Sequence, residues 1–109
     1  MNQGMTKDTL IFAIRSRQEY CAGHLAGAVL IETPLPPLES WQKQALWTNL
    51  VQITKHLDRD QAIAVYCKKG IRAGLAKRFL NELGYWNVIY LGGIETEPIR
   101  SSKIKLQVC

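Results

Sequence analysis

Short apolar blocks alternate along this chain with longer stretches whose apolar positions recur every three to four residues. "TLIFAI", residues 9 to 14, is brief, apolar and followed by charge, as a buried strand would be. "RSRQEYCAG" reads as a short helix, with Arg15 and Glu19 four apart and able to pair. "AGAVLI" reads as a second strand. "ETPLPPLES" holds three of the four prolines and is therefore a loop, with Glu39 or Ser40 starting the next helix. Leu46, Leu50, Ile53 and Leu57 recur at helical spacing, and "QAIAVY" follows as a third strand. Leu75, Ala76, Phe79, Leu80 and Leu83 mark the apolar face of a further helix, with Lys77, Arg78, Asn81 and Glu82 on its polar face. Gly84 stands where a glycine commonly ends a helix. "NVIYL" is a last strand, stopped by Gly92-Gly93.

Apolar strands alternating with amphipathic helices predict an α/β fold with a parallel sheet covered on both faces. Such sheets bind ligands beyond the carboxyl ends of their strands. Cys67 stands at that end of the third strand, in "VYCKKGIRAGLA".

A chain of 109 residues predicts one domain, long enough to bury a core without disulfide staples. At 47% apolar and 21% charged its composition is that of an ordinary globular protein. No apolar run has membrane-spanning length, and the N-terminus lacks the pattern of an export signal, so the chain is expected in the cytosol, away from membranes. Cys21, Cys67 and Cys109 are odd in number and have no CxxC spacing. This argues against a disulfide framework or a zinc knuckle, and each is expected to be a thiol in a reducing compartment. The net charge of +5 changes the picture by its placement. Lys68, Lys69, Arg72, Lys77 and Arg78 are five of the fourteen basic residues, and no acidic residue interrupts them. Charge concentrated beside a cysteine fits a small anionic ligand better than a nucleic acid.

The loop "CKKGIR" leads from a strand into the first turn of a helix, whose N–H groups lack intrahelical partners. Curled around the sulfur, such a loop aims several N–H groups at it and favours an anion there. Gly70 permits the backbone angles that this curl requires. Cys67 would then act as a thiolate nucleophile, and the same cradle would hold a charged persulfide. The alternative is a small buried residue that closes a strand beside solvated lysines.

These segments together resemble the rhodanese, or sulfurtransferase, family over residues 9–97. "CKKGIRAGLA" resembles its active-site signature. "RSRQEYCAGHLAGAVLI" resembles its N-terminal signature, with Arg15, Glu19, Tyr20, Gly23, His24, Gly27 and Ala28 at matching places, and "LGYWNVIYLGG" resembles its closing strand. The resemblance implies a three-layer fold with a central, mostly parallel five-stranded sheet, flanked by an N-terminal extension (1–8) and a C-terminal tail (98–109). It implies transfer of sulfane sulfur from thiosulfate or a related donor, through a Cys67 persulfide, to cyanide or a thiol, with no cofactor or metal. A thioredoxin-like or other sulfur-accepting protein would be an acceptor. Cys67 would be the nucleophile and the backbone of Lys68, Lys69, Gly70, Ile71 and Arg72 the cradle, with the two lysines attracting the dianion. Arg72 either holds the anion or fixes the loop. The chain departs from the family at Ala13, where an aspartate is usual, and at Ile94 and Glu95, where an aromatic residue often stands.

Two other functions remain open. A non-enzymatic persulfide carrier or regulatory binding module would also retain the cysteine. A phosphatase would use a Cys-to-Arg loop, but the related phosphatases have a loop one residue longer. His24 reads as a structural histidine near a turn rather than a general base. Cys21 reads as a packing residue, or else a resolving thiol for Cys67, and Cys109 as incidental. His56, near Asp58 and Asp60, reads as the polar end of a helix. Trp41, Trp47 and Trp86 read as core and edge aromatics.

Overall fold

In the computed structural model, which describes residues 8–109, seven elements follow one another. They are β1 (Leu10–Ala13), α1 (Arg17–Ala22), β2 (Val29–Leu30), α2 (Ser40–Thr54), β3 (Ile63–Cys67), α3 (Ile71–Glu82) and β4 (Val88–Gly93). The strands form a parallel sheet in the order β2-β1-β3-β4. A helix-bearing crossover joins each strand to the next, as parallel pairing requires.

The period of two along the strands sorts side chains between the sheet's faces. Phe12, Ile63, Val65 and Cys67 join Leu46 and Leu50 of α2 and Ala73, Ala76 and Leu80 of α3 in the larger core. Ala13 and Tyr66 face the other way, into a smaller cluster with Leu25, Ala28 and Ile99, against which Tyr20 of α1 packs. Helices therefore cover both faces, as the alternating pattern predicts. Cys67 lies on the α2–α3 side, and the register of β3 against β4 slips between Val65 and Cys67, where the strand gives way to the loop.

The sheet has four strands among the described residues, not five. The chain after β4 turns through Thr96, Glu97 and Pro98, and only an isolated antiparallel bridge between Gln107 and His24 follows. The second strand is two residues long instead of the expected six, because Gly27, at φ 80°, turns the chain and the Ala28 amide closes on the Leu25 carbonyl. Ser16 caps α1 with a reciprocal capping box to Glu19, and Glu39 does the same for α2 with Gln42. Gly84 follows α3 at φ 100°, as the helix-ending glycine should. Trp41 and Trp86 are 67% and 69% exposed, so neither belongs to the core. Trp47 packs edge-on against Phe79.

The expectation of three free thiols is corrected: Cys21 and Cys109 form a disulfide, and Cys67 alone is free. Their spacing of 88 residues hid the pair, which forms because the tail folds back along α1. There the Cys109 amide reaches the Cys21 carbonyl, and Gln107 and His24 exchange backbone hydrogen bonds. Residues 1–7, and with them most of the expected N-terminal extension, lie outside the described residues. Among the described residues no helix is long and apolar enough to cross a membrane.

Candidate active site

The loop from Cys67 to Arg72 wraps around the cysteine sulfur. Cys67 is 1% exposed, and its Sγ accepts hydrogen bonds from the amides of Gly70 (3.0 Å) and Ala73 (3.4 Å). The amides of Ile71 and Arg72, in the first turn of α3, have no carbonyl one turn earlier within the helix to receive them. Gly70 makes the curl possible at φ 105°, a left-handed conformation that opposes any side chain. A Cβ at Gly70 would also collide with the Tyr90 hydroxyl, which donates to the Gly70 carbonyl at 3.2 Å.

The end of β4 holds the loop from the other side. The amides of Ile94 and Glu95 donate to the carbonyls of Cys67 (2.8 Å) and Lys68 (3.1 Å). A Cβ at Gly93 would run into the Lys68 backbone, so the double glycine does more than stop a strand: it lets β4 press against the loop.

Arg72 ties the loop to a distant part of the chain. It is 1% exposed, and its Nη1 and Nη2 donate to the two Glu19 carboxylate oxygens at 2.7 and 3.0 Å. Nη1 also reaches the Thr33 carbonyl. These contacts tie the end of the loop to α1, while Arg72 Nε is buried without a hydrogen-bond partner and Arg72 also lines the cavity beside Cys67. Burial pushes the Glu19 carboxyl up, but the Arg72 hydrogen bond, the Ser16 amide, the Arg72 charge and the Ser16 hydroxyl outweigh it and bring it down to about 2.

Arg15 therefore does not pair with the Glu19 carboxylate. It donates from Nη2 to the Glu19 backbone carbonyl, while its Nε and Nη1 are buried without a partner. Ala13, where an aspartate is usual, offers no acceptor.

A cavity of about 250 Å³ opens above the sulfur, walled by Leu35, Pro36, Lys68, Lys69, Ile71 and Arg72. Lys69 is exposed, and Lys68 is half-buried, 4.0 Å from Glu95. Cys67 and the basic pair thus share one site. Leu35 and Pro36 were missed, because "ETPLPPLES" signals a loop without saying where it packs. Glu19 was read for its spacing to Arg15 and as one position of the N-terminal signature, not as a partner of Arg72. His24 stacks on Tyr20 and donates through Nδ1–H to the Tyr20 carbonyl (2.8 Å), a structural role near the turn. Among the described residues no group of three His, Cys, Asp or Glu side chains could hold a metal ion.

A strand, a curled cysteine loop and a helix in this order match a known family model, the Rhodanese-like domain, over residues 1–96. The chain belongs to the rhodanese-like family. Its fold is that of a rhodanese from E. coli, solved with anions, at a TM-score of 0.67, 21% identity and coverage of 93% of this chain and 99% of that one. A human single-domain sulfurtransferase superposes with a TM-score of 0.62 at 19% identity, over 88% and 85% of the two chains. Among curated proteins, the tRNA uridine(34) hydroxylase of Onion yellows phytoplasma is 33% identical over 87 residues, 80% of this chain and 26% of its own. The protein of that name from Yersinia enterocolitica is 29% identical over 88% of this chain and 25% of its own. The chain thus spans about a quarter of the length of these curated relatives.

Proposed function

We propose that this protein is a sulfurtransferase that carries sulfane sulfur as a persulfide on Cys67, with thiosulfate or a related anion as donor and cyanide or a thiol as acceptor. The observation that carries the reading is the Cys67 sulfur at the foot of a lysine-rimmed cavity, receiving the amides of Gly70 and Ala73. Hydrogen-bond donors fixed in advance around a site of developing negative charge are what such chemistry needs. Membership of the rhodanese-like family supports the same class of reaction.

In the first half-reaction the Cys67 thiolate attacks the outer sulfur of thiosulfate. The donor's S–S bond breaks, and its electron pair leaves on sulfite. In the second, an acceptor nucleophile attacks the outer sulfur of the persulfide. The Cys67–sulfur bond breaks, and Cys67 returns as a thiolate. The Gly70 and Ala73 amides stabilise the sulfur that carries charge, and Lys68 and Lys69 raise the local concentration of the anionic donor. No metal or organic cofactor is needed for this exchange.

Thiocyanate formation from thiosulfate and cyanide tests the reading: steady turnover that disappears in Cys67→Ser supports it. Persulfide formation without turnover would instead favour a sulfur carrier. A second reading comes from the curated relatives, named for tRNA uridine hydroxylation: the chain would be one module of such an activity. Hydroxylation of uridine in tRNA incubated with the full chain, dependent on dioxygen as added oxidant and absent in Cys67→Ser, would favour it.

A further inference from the structure

A second cavity adjoins the first and has no task in a reaction with thiosulfate and cyanide. It measures about 310 Å³, and its walls include Pro37, Leu38, Lys43 and Leu75. Pro36, Ile71 and Arg72 wall both cavities, so together they make one groove leading away from Cys67. Ile71 is 69% exposed and Leu35 54%, at the first position of α3 and in the proline-rich loop. Thiosulfate is small and polar and gives these side chains nothing to bury.

The charge of the groove is one-sided. Lys68 and Lys69 border the first cavity and Lys43 the second, and no aspartate or glutamate lines either. Arg72 adds little charge, because Glu19 neutralises it. No aromatic side chain lines the groove, so it offers no stacking platform for the bases of an RNA. A small polar thiol would leave Leu38, Ile71 and Leu75 uncovered.

We propose that the groove is the acceptor site, and that it takes a protein segment in which a cysteine is flanked by apolar and acidic residues. This rests on the sulfurtransferase reading of Cys67. The acceptor cysteine enters the first cavity, its apolar neighbours cover Ile71, Leu38 and Leu75, and an acidic side chain meets Lys43. The acceptor thiolate attacks the outer sulfur of the Cys67 persulfide. That S–S bond breaks with its electron pair on Cys67 Sγ, and the segment leaves as a persulfide. Exchange of one S–S bond for another needs no further oxidant or reductant. Lys43 is a specificity residue here: it acts on the acceptor and not on loading from the donor.

The test uses the full chain and acetylated hexapeptides, each with one cysteine. One peptide carries leucines and glutamates, one leucines and lysines, one serines and glutamates. Loading of Cys67 by thiosulfate is read first by intact mass; failure to load would overturn the sulfurtransferase reading itself. With loading established, sulfur transfer to each peptide is followed at low salt. The leucine–glutamate peptide should exceed each of the others by about ten-fold in kcat/KM, the scale of a desolvated apolar contact or a paired charge. Lys43→Glu should reverse the preference between glutamate and lysine peptides, and Leu38→Ser should remove that between leucine and serine peptides. Equal use of all three peptides, or a preference that neither substitution moves, would overturn the proposal. So would inhibition of transfer by tRNA but not by a cysteine-free leucine–glutamate peptide, which would assign the groove to nucleic acid.

Discussion

Arg72, at the end of the cysteine loop, is clasped by Glu19, which lies 53 residues earlier on α1. Both guanidinium ends meet both carboxylate oxygens, in the fork geometry that makes arginine–carboxylate pairs strong and specific. The first turn of α3 is thereby tied to a helix on the opposite face of the sheet, and the amides around Cys67 are held by a contact outside the cavity.

The pair makes stability depend on acid. The Glu19 carboxyl falls from its ordinary 4.5 to about 2 in the folded protein. Its contribution is therefore complete above about pH 4.5 and is lost as pH falls through about 2, because the unfolded chain takes up the proton first. The difference corresponds to about 3 kcal/mol. Glu19→Ala should lower stability at pH 7 by about that much, since it leaves a buried guanidinium unpaired. Urea denaturation at pH 7 and pH 3 checks this: the gap between wild type and variant should narrow at pH 3. An unchanged gap would mean that the pair does not set the acid dependence.

How much of this was legible in the sequence follows from the range of each interaction. The cysteine loop is local: a strand end, a glycine and a helix start lie within six residues, yet of the five expected cradle residues only Gly70 donates to the sulfur, and the second donor, Ala73, lies one residue beyond them. The helical faces of α2 and α3 were legible for the same reason, although Ile53 is 39% exposed. What was missed depends on residues far apart in the chain. Glu19 has an arginine four residues away, and only the fold brings it the stronger partner at 72. Cys21 and Cys109 meet because the tail returns to α1, which no spacing rule foretells. Trp41 and Trp86 have core-like chemistry, yet Trp41 lies on the outer side of α2 and Trp86 in the exposed connection between α3 and β4.

The contact between β4 and the loop gives a second prediction. Gly93→Ala places a methyl group against the Lys68 backbone and should displace the loop, lowering sulfur transfer by at least about ten-fold while most of the fold survives. Tyr90→Phe removes only the hydrogen bond to the Gly70 carbonyl, a loss of about 1 kcal/mol in stability, with a smaller effect on rate. Steady-state kinetics and thermal melts on both variants separate the two. A fully active Gly93→Ala would show that the loop tolerates movement there.

The lysines should act unequally. Lys68 stands 4.0 Å from Glu95, so part of its charge is offset, while Lys69 is exposed at the mouth of the same cavity. Replacing both with Gln should lower kcat/KM for thiosulfate roughly ten-fold at low salt, with Lys69→Gln contributing more than Lys68→Gln. The loss should shrink as salt rises and be small for a neutral sulfur donor. Equal, salt-independent losses for both donors would make the lysines shapers of the loop.

The Cys21–Cys109 disulfide closes a long stretch of chain and should stabilise the fold by about 2–4 kcal/mol. Cys109→Ser should lower the melting temperature in non-reducing buffer and have little effect once reductant is present. Sulfur transfer should persist in this variant and in Cys21→Ser, because neither sulfur lines the cavity above Cys67. Loss of turnover in Cys21→Ser would instead give that cysteine a part in resolving the persulfide.

The central claim is that Cys67 itself carries the transferred sulfur. Intact-protein mass spectrometry after brief exposure to thiosulfate, followed by fragmentation to locate the change, measures it directly. The wild-type protein should gain the mass of one sulfur atom on Cys67, lose it on addition of cyanide, and show no such gain as Cys67→Ser. A wild-type chain that stays unmodified, or an added sulfur that resides on another residue, would contradict the account.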